Sequence, residues 1–408
     1  ARLSIICLAP AVLTCCLMSA YRGYYQGMQN MYPTSISQII EAVTKMIFGL
    51  GLSGAVLYLT QREYETYGTV LGQSYAGQAQ AQAVIAQLAS GAAVLGVSLS
   101  TAAGLLYLMI RWRKKGDGVP DELVRQSPQP QRAGVLFKTI IVIAVPVCLG
   151  SLAVNFSGII DLMTVTGRLA EVMQTAPQAL LDCYGANIPE AEIINNSVHN
   201  YLYGAYSGKA VVIANLVPAL TAGLAVSALP VVAESFAQGN RLRTQRSVQM
   251  VLRITTIVCI PAGLGISALA QEVCELFFGY NSEVAIGAPL LQVLAIASIF
   301  IALTAAINSL LQAVGRVSLP VKLILIGSLV KLAMNYILVG IPQINIQAAP
   351  WSTLACCLLV TVLSLIALRQ SVGELGVVSV FVKPLLAGLL CAAFARLSQN
   401  LISTVIAS

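Results

Sequence analysis

Two lysines lie near the middle of long apolar segments, where charged side chains are rare. Lys45 is about midway along residues 34–59, and Lys331 is about midway along residues 319–340. A charge at the centre of a bilayer costs several kcal/mol unless it is paired or faces water. We therefore expect both ammonium groups to line a cavity that attracts an anionic ligand. For Lys45 the alternative is an ion pair with Glu41, one turn earlier on the same helix face.

A carboxylate and an amide lie in the outer half of a third apolar segment, residues 136–163. These are Asp161 and Asn155. Oxygen ligands of these types can bind Na⁺ or a proton and so couple a conformational cycle to an ion gradient. The alternative is an interfacial Asp161 that pairs with Arg168 or caps the segment that follows.

The composition indicates an all-α integral membrane protein. Of the 408 residues, 57% are hydrophobic and 10% are charged, and the mean hydropathy of +0.82 excludes both a soluble globular enzyme and a disordered chain. Backbone groups in lipid must be satisfied internally, so apolar segments of about 20 residues form helices. Ten segments qualify: 3–21, 34–59, 83–110, 136–163, 209–233, 251–270, 284–311, 319–340, 350–368 and 377–397. Pro10, Pro146, Pro218, Pro261 and Pro384 lie inside these segments and are expected to kink them.

Basic residues alternate between the two sides of these ten segments. One alternate set of connections carries 16 Lys and Arg residues, whereas the other set, with the C-terminal tail, carries only Arg62, Arg168 and Arg396. The basic set marks the cytoplasmic side, so the net charge of +7 reports membrane orientation, not nucleic-acid binding. We therefore expect a multi-pass protein of the bacterial cytoplasmic membrane. Both chain ends then lie outside, which predicts a fragment that lacks an odd number of preceding helices.

An internal repeat appears at an offset of 286 residues. Five residues recur in it: Leu17, Ala20, Gln26, Ile40 and Lys45 correspond to Leu303, Ala306, Gln312, Ile326 and Lys331. A parallel repeat of six-helix halves is a transporter design that holds its substrate between the halves. Gln26 and Gln312 therefore join the two lysines as candidate substrate-binding residues. The alternatives are chance apolar similarity and, for the turn at Arg22–Gln26, a purely structural role.

Several longer motifs carry a family resemblance. RGYYQGMQNMYPTSISQIIEAVTKM (22–46) and LLQAVGRVSLPVKLILIGSLVKLAMNYILVGIP (310–342) are the most specific of them, and DLMTVTGRL, YLYGAYSG and ALPVVAESFAQGN add to them. The chain resembles the stage V sporulation protein B and polysaccharide biosynthesis family, which is related to the lipid II flippases. These belong to the multidrug/oligosaccharidyl-lipid/polysaccharide exporter superfamily.

The resemblance implies two pseudo-symmetric helical lobes, the first one incomplete. The ten segments would be helices four to thirteen, with residues 1–115 as the incomplete N-terminal lobe and 116–135 as a cytoplasmic linker. Residues 136–370 would form the six-helix C-terminal lobe, and 371–408 an additional transmembrane helix. In lipid II flippases, arginines in the first two helices are thought to hold the pyrophosphate, and those helices precede this chain.

The resemblance also implies a function in cell-wall or polysaccharide biosynthesis, including sporulation. The expected activity is flipping of an undecaprenyl-pyrophosphate-linked sugar across the membrane by alternating access, driven by Na⁺, H⁺ or the membrane potential. The partners would be this lipid-linked saccharide and membrane lipids. The alternative is a multidrug or cation antiporter, which needs an acidic cavity where this chain offers lysines.

Enzyme chemistry has little support in the sequence. HExxH, GxSxG and Walker motifs are absent, and neither a cofactor nor a metal site is expected from the ten cysteines and the single His199. A membrane glycosyltransferase or polymerase would need catalytic carboxylates in an external loop, and the acidic connection near Asp182 and Glu190 keeps this alternative open. A non-transporting scaffold also stays open. Cys183 and Cys274 both fall near external segments, which leaves a disulfide between them open.

Overall fold

A computed structural model describes residues 2–28, 30–74, 78–116, 132–189, 193 and 197–407. The chain divides into two compact units, Ala1–Pro130 and Gln131–Ser408. The second unit includes the segment 371–408, which the sequence set apart as an additional helix. Most of the predicted linker, 116–135, lies outside the described residues.

The described residues of the first unit form three long helices and a short hairpin. The helices are α1 (Arg2–Gly27), α2 (Tyr32–Tyr67) and α3 (Gln78–Lys115), and both α1 and α2 pack mainly against α3. Strands β1 (Thr69–Val70) and β2 (Gln73–Ser74) pair between α2 and α3. The two-residue turn between these strands needs positive φ at both positions, which Leu71 and Gly72 adopt at 51° and 76°.

Glycine permits the close approach of α2 and α3. A Cβ atom added at Gly96 of α3 would lie 2.5 Å from the backbone nitrogen of Gly49 and 2.7 Å from the carbonyl carbon of Phe48. Helices that associate in lipid gain their stability from close packing, so small residues at the contact are favoured. The α2–α3 contact therefore depends on the missing side chain of Gly96.

The second unit contains eleven helices among its described residues. They are α4 (Ala133–Thr175), α5 (Pro177–Tyr184), α6 (Val198–Ala205), α7 (Val211–Ala214), α8 (Leu216–Ala237), α9 (Arg241–Ala268), α10 (Ala270–Phe278), α11 (Ser282–Ala313), α12 (Ser318–Leu338), α13 (Ala348–Val372) and α14 (Val377–Ala407). Helix α11 is at the centre, because it packs against α8, α9, α10 and α13. Its buried face runs over most of its length, from Val284 to Leu311.

Eight helices of the described residues are long and apolar enough to cross a bilayer. Their spans are Ile5–Gly27, Tyr32–Tyr67, Val84–Lys114, Arg241–Ala268, Ser282–Ala313, Ser318–Leu338, Asn345–Val372 and Val380–Leu401. The two other predicted segments, 136–163 and 209–233, coincide with α4 and with α7 and α8, where some side chains lie outside the described residues. The prediction of an all-α membrane protein is confirmed.

The segment predicted as one span over 209–233 is interrupted. A single π-helical turn, Tyr206–Ala210, leads into the short α7. The chain then bends at Asn215 before α8 begins. Pro218 explains the bend, because it has no N–H to donate to the carbonyl of Ala214, four residues earlier. Sequence reasoning correctly marked Pro218 as a kink position, but it did not predict the π-helical turn before it.

The described part of the acidic connection between α4 and α8 contains helices α5 and α6. They help to build the largest buried apolar cluster, which includes Leu169, Leu180, Leu202, Ile213 and Leu291. At the edge of this cluster, Lys209 pairs with Glu283 at 3.1 Å and lies 4.4 Å above the ring of Phe278. The described residues at this end of the second unit, which is predicted to be external, are therefore packed against one another.

Helix α14 is fixed to α9 near a proline. Pro384 has no N–H to donate to the carbonyl of Val380, and the hydroxyl of Thr256 on α9 donates to that carbonyl at 2.9 Å. Further along, a Cβ added at Gly388 would lie 2.9 Å from the side chain of Ile260. The last helix therefore packs as an integral part of the second unit.

The two cysteines near the predicted external segments are free thiols in different environments. Cys183 is exposed, whereas Cys274 is buried and burial raises its pKa to about 11. At pH 7 about one Cys274 thiol in 10⁴ is then ionised, and the thiolate is the reactive form. We expect a membrane-impermeant maleimide added to intact cells to label a variant that keeps only Cys183 and to leave a variant that keeps only Cys274 unlabelled.

The matched control for this labelling is Gln238→Cys in a cysteine-free background. Gln238 is exposed in the turn between α8 and α9, on the side that the basic residues assign to the cytoplasm. It should react only after the membrane is made permeable. Labelling of Gln238→Cys in intact cells would contradict the orientation.

Candidate functional site

An ion pair is buried among the spans of the second unit. The Lys331 Nζ on α12 lies 2.5 Å from the Asp161 Oδ2 on α4. The side chain of Lys331 is only 6% exposed and that of Asp161 only 11%. Such a pair loses the hydration of both ions, so it needs further hydrogen bonds to persist.

Those hydrogen bonds come from three helices. The Asn335 side chain, one turn after Lys331 on α12, donates to the Asp161 Oδ1 at 2.9 Å and to the Thr164 Oγ1 at 3.3 Å. The hydroxyl of Ser352 on α13 donates to the Asn335 Oδ1. Both oxygens of Asp161 and all three polar groups of Asn335 and Ser352 are therefore engaged.

The sequence places these groups on buried helix faces. On α4, Asp161 continues the stripe formed by Val165 and Leu169, which are both fully buried. On α12, Gly327 precedes Lys331 by one turn and lets α13 approach, since a Cβ there would lie 2.3 Å from Val360. This close approach carries Ser352 into reach of Asn335.

The pair lies at the wall of a cavity of about 280 Å³. Helices α4, α11, α12 and α13 line this cavity, and its polar groups are Asp161, Thr304, Asn308, Ser328, Lys331 and Thr353. The Asn308 Oδ1 is buried and has no hydrogen-bond partner among the described residues. A buried acceptor of this kind needs a donor from water or a ligand. The cavity is large enough for several waters or an ion.

Within the second unit, the structure brings together two of the four residues proposed there from the sequence, Lys331 and Asp161. Lys331 does line a cavity, but its charge is already neutralised by Asp161, which the sequence placed in a separate ion-coupling site. The alternative pair of Asp161 with Arg168 is wrong, because Arg168 pairs with Glu171 and lies 4.4 Å above the ring of Tyr336.

The partners proposed for these two residues lie elsewhere. Asn155 is exposed, six residues before Asp161 on α4. Gln312 is half-buried at the C-terminal end of α11, outside the lining of the cavity. Gln312 lies just before the connection to α12, whereas Lys331 lies 13 positions after Ser318, the first residue of α12. The two residues therefore do not share a site.

In the first unit, the midplane lysine is not buried. Lys45 is exposed, and Glu41, its proposed partner, pairs with Arg22 at 2.9 Å. The Nε of Arg22 also donates to the Ser37 hydroxyl at 2.9 Å. Arg22 therefore joins α1 to α2, which agrees with a structural role for this turn. Gln26, four residues later, is half-buried.

Sequence reasoning missed Asn335, Ser352, Thr164 and Asn308. A usable signal existed for Asn335, since it is a second polar residue at i+4 from Lys331 in an otherwise apolar span. The hydroxyl groups gave no signal, because Ser and Thr commonly bond to backbone carbonyls within apolar helices.

Comparisons with known proteins agree with the resemblance. A family model described as MatE matches residues 205–337. The chain is 24% identical to the lipid II flippase MurJ of Bacillus subtilis over 85% of its own length and 56% of that protein. It is 20% identical to stage V sporulation protein B of Bacillus subtilis over 88% of its length and 60% of that protein. The chain thus spans little more than half of these relatives.

Two solved structures share the fold. One is a multidrug resistance MATE family transporter of the MOP superfamily in an outward-facing conformation, with 14% identity and a TM-score of 0.52 over 92% of this chain and 78% of that one. The other is a MOP superfamily transporter from Pyrococcus furiosus with a binding pocket described as of reverse polarity, with 15% identity and a TM-score of 0.51 over 92% and 86%.

These matches agree on the fold. The fold is that of the multidrug/oligosaccharidyl-lipid/polysaccharide exporters, and the resemblance to that superfamily and to its lipid II flippase and stage V sporulation protein B relatives is confirmed. The predicted location, a multi-pass protein of the bacterial cytoplasmic membrane, is likewise confirmed.

Proposed function

We propose that this chain is the main part of a flippase for a lipid-linked saccharide. The substrate would be an undecaprenyl-pyrophosphate-linked sugar or peptidoglycan precursor, moved to the outer leaflet by alternating access. The observation that carries the proposal is the buried Lys331–Asp161 pair at a polar cavity among the spans. Charged residues inside membrane spans are costly and mark substrate or ion pathways by default.

The pair suggests how a gradient could drive the cycle. A proton or Na⁺ that neutralises Asp161 would remove the counter-charge of Lys331, and the freed ammonium could then attract a pyrophosphate. Dissociation of the proton or Na⁺ from Asp161 would restore the Lys331–Asp161 contact of 2.5 Å and release the pyrophosphate from Lys331. In both end states the Lys331 ammonium contacts an anion, Asp161 in one and the pyrophosphate in the other, which limits the cost of burying its charge.

One observation favours a cation antiporter as the second candidate. Asp161 is a carboxylate at the wall of the cavity, and one solved structure with this fold is a multidrug resistance transporter. An organic cation could replace the Lys331 ammonium at Asp161. This reading requires Lys331 to leave the carboxylate when the drug binds, whereas the flippase reading uses the positive charge of Lys331 directly.

Complementation separates the two candidates. The full-length gene should restore growth to a strain depleted of its lipid II flippase and should give no cation-dependent dye efflux. An antiporter would give the reverse result. The control is a Lys322→Met variant expressed at the same level. Lys322 is an exposed lysine at the cytoplasmic end of the same helix as Lys331. Efflux without rescue would overturn the flippase proposal.

A further inference from the structure

A second cavity, on the membrane-facing side of the second unit, contains two cations. It measures about 260 Å³ and lies between α9 and α14, lined by Arg253, Ile257 and Pro261 on α9 and by Lys383, Pro384 and Ala387 on α14. The residues that line the Lys331 cavity are all different. The proposed transport cycle does not use this second site.

The two cations share the cavity without an acid to balance them. Neither Arg253 nor Lys383 forms an ion pair with any acidic side chain of the described residues. The nearest candidate, Glu374, lines an adjoining cavity with Lys383 and lies 3.8 Å from Arg369. Two like charges on one concave surface repel each other unless an anion lies between them.

The depth of the site in the membrane identifies the kind of anion. Lys383 lies three residues inside the span Val380–Leu401. Arg253 lies twelve residues inside the span Arg241–Ala268, at the start of the apolar segment 251–270 predicted from the sequence. Both belong to the connections that the basic residues assign to the cytoplasmic side. The cations are thus at the level of the phosphates of the inner leaflet, and basic pockets between helices at this level bind anionic headgroups.

The walls of the cavity match the rest of a phospholipid. Ile257 is 51% exposed and Ala387 is exposed, so both present apolar surface beyond the cations, toward the bilayer interior. On the other side, Arg246 is exposed two turns before Arg253 on the same face of α9. The cavity thus has positive charge at the membrane surface and apolar side chains toward the bilayer interior. A phospholipid has its charged headgroup and its acyl chains in the same order.

The site is also held in shape. The Thr256 hydroxyl donates to the Val380 carbonyl at 2.9 Å, and Gly388 lets α14 approach Ile260 closely. These contacts flank the cavity on both helices. The two helices therefore need no rearrangement relative to each other to present Arg253 and Lys383 to a ligand.

We propose that Arg253 and Lys383 hold the phosphate of an anionic phospholipid of the inner leaflet. The planar guanidinium of Arg253 can contact two phosphate oxygens while the ammonium of Lys383 balances the remaining charge. One acyl chain lies along Ile257 and Ala387. The bound lipid joins α9 to α14 at the cytoplasmic surface, independently of the transported substrate.

Native mass spectrometry of the purified full-length protein in detergent tests this proposal. Phosphatidylglycerol should bind more tightly than phosphatidylcholine, and the double variant Arg253→Gln/Lys383→Gln should weaken phosphatidylglycerol binding about 30-fold, as expected for two interfacial cations. The matched control, Arg241→Gln/Arg243→Gln, removes the same charge from exposed positions at the start of α9, outside the cavity. It should change the affinity less than threefold, on the order expected for distant exposed charges.

Three results would overturn the proposal. They are equal weakening by both double variants, no preference for phosphatidylglycerol, and glycerol phosphate binding as tightly as the intact lipid, which would indicate a soluble phosphate ligand. Gel-filtration profiles identical to that of the wild type establish that the variants fold. An Arg253→Lys/Lys383→Arg exchange keeps both charges and should retain the lipid.

Discussion

Replacement of Lys331 by Met should lower the free energy of unfolding by about 3–5 kcal/mol, because it leaves the Asp161 carboxylate buried without a counter-charge. Asp161→Leu should cost a similar amount by leaving the ammonium unpaired. The double variant, Asp161→Leu/Lys331→Met, should cost far less than the sum, since both charges are gone and apolar groups of similar size fill the space. Asn335 then keeps Thr164 as an acceptor, at 3.3 Å.

Unfolding of the purified protein in lipid, measured for the wild type and these three variants, gives the coupling energy of the pair directly. Lys322→Met is the control, because it removes an exposed lysine from the same helix and should change stability by about 0.5 kcal/mol or less. If the double variant were as costly as the two single changes added together, Asp161 and Lys331 would not interact as the structure shows.

Replacement of Gly96 by Ala should destabilise the first unit by about 3 kcal/mol, even though Ala is the better helix former. The new Cβ would lie 2.5 Å from a backbone nitrogen of α2, and a backbone atom cannot move aside as a side chain can. Helices α2 and α3 would have to separate, which removes the main packing partner of α2.

Gly54→Ala is the matched change for Gly96→Ala. Gly54 lies inside α2, is exposed and has no atom within 4 Å of an added Cβ among the described residues. Its replacement should leave stability unchanged or raise it by up to about 1 kcal/mol through helix propensity. Equal effects of the two substitutions on the unfolding transition would show that the α2–α3 contact is not close-packed.

The sequence predicted the secondary-structure elements better than the contacts between them. Hydropathy and the alternation of basic residues predicted ten helical segments, and eight of them coincide with helices long and apolar enough to cross a bilayer, because lipid leaves the backbone few alternatives. The same reasoning correctly placed a kink at Pro218. The helices of the acidic connection were harder to predict, because α5 and α6 are short and depend on the packing around Leu180 and Leu202.

The candidate site illustrates why contacts between helices were harder to predict than the helices themselves. Asp161 and Lys331 are 170 positions apart, and only the packing of α4 against α12 brings them to 2.5 Å. The internal repeat equated Lys45 with Lys331, but repeats preserve helix order better than side-chain partners. Arg22 takes Glu41 in the first unit, and Lys45 is left exposed where its counterpart is buried.

The most direct test of the account is the export of lipid-linked precursor by the double variant Asp161→Leu/Lys331→Met. In cells that depend on this protein, outer-leaflet accessibility of the precursor is measured for the wild type, the double variant and Lys322→Met. We expect the double variant to fold and reach the membrane at wild-type levels and to export no precursor, while Lys322→Met exports normally. Wild-type export by the double variant would show that the buried pair serves only the structure, and would contradict the proposed mechanism.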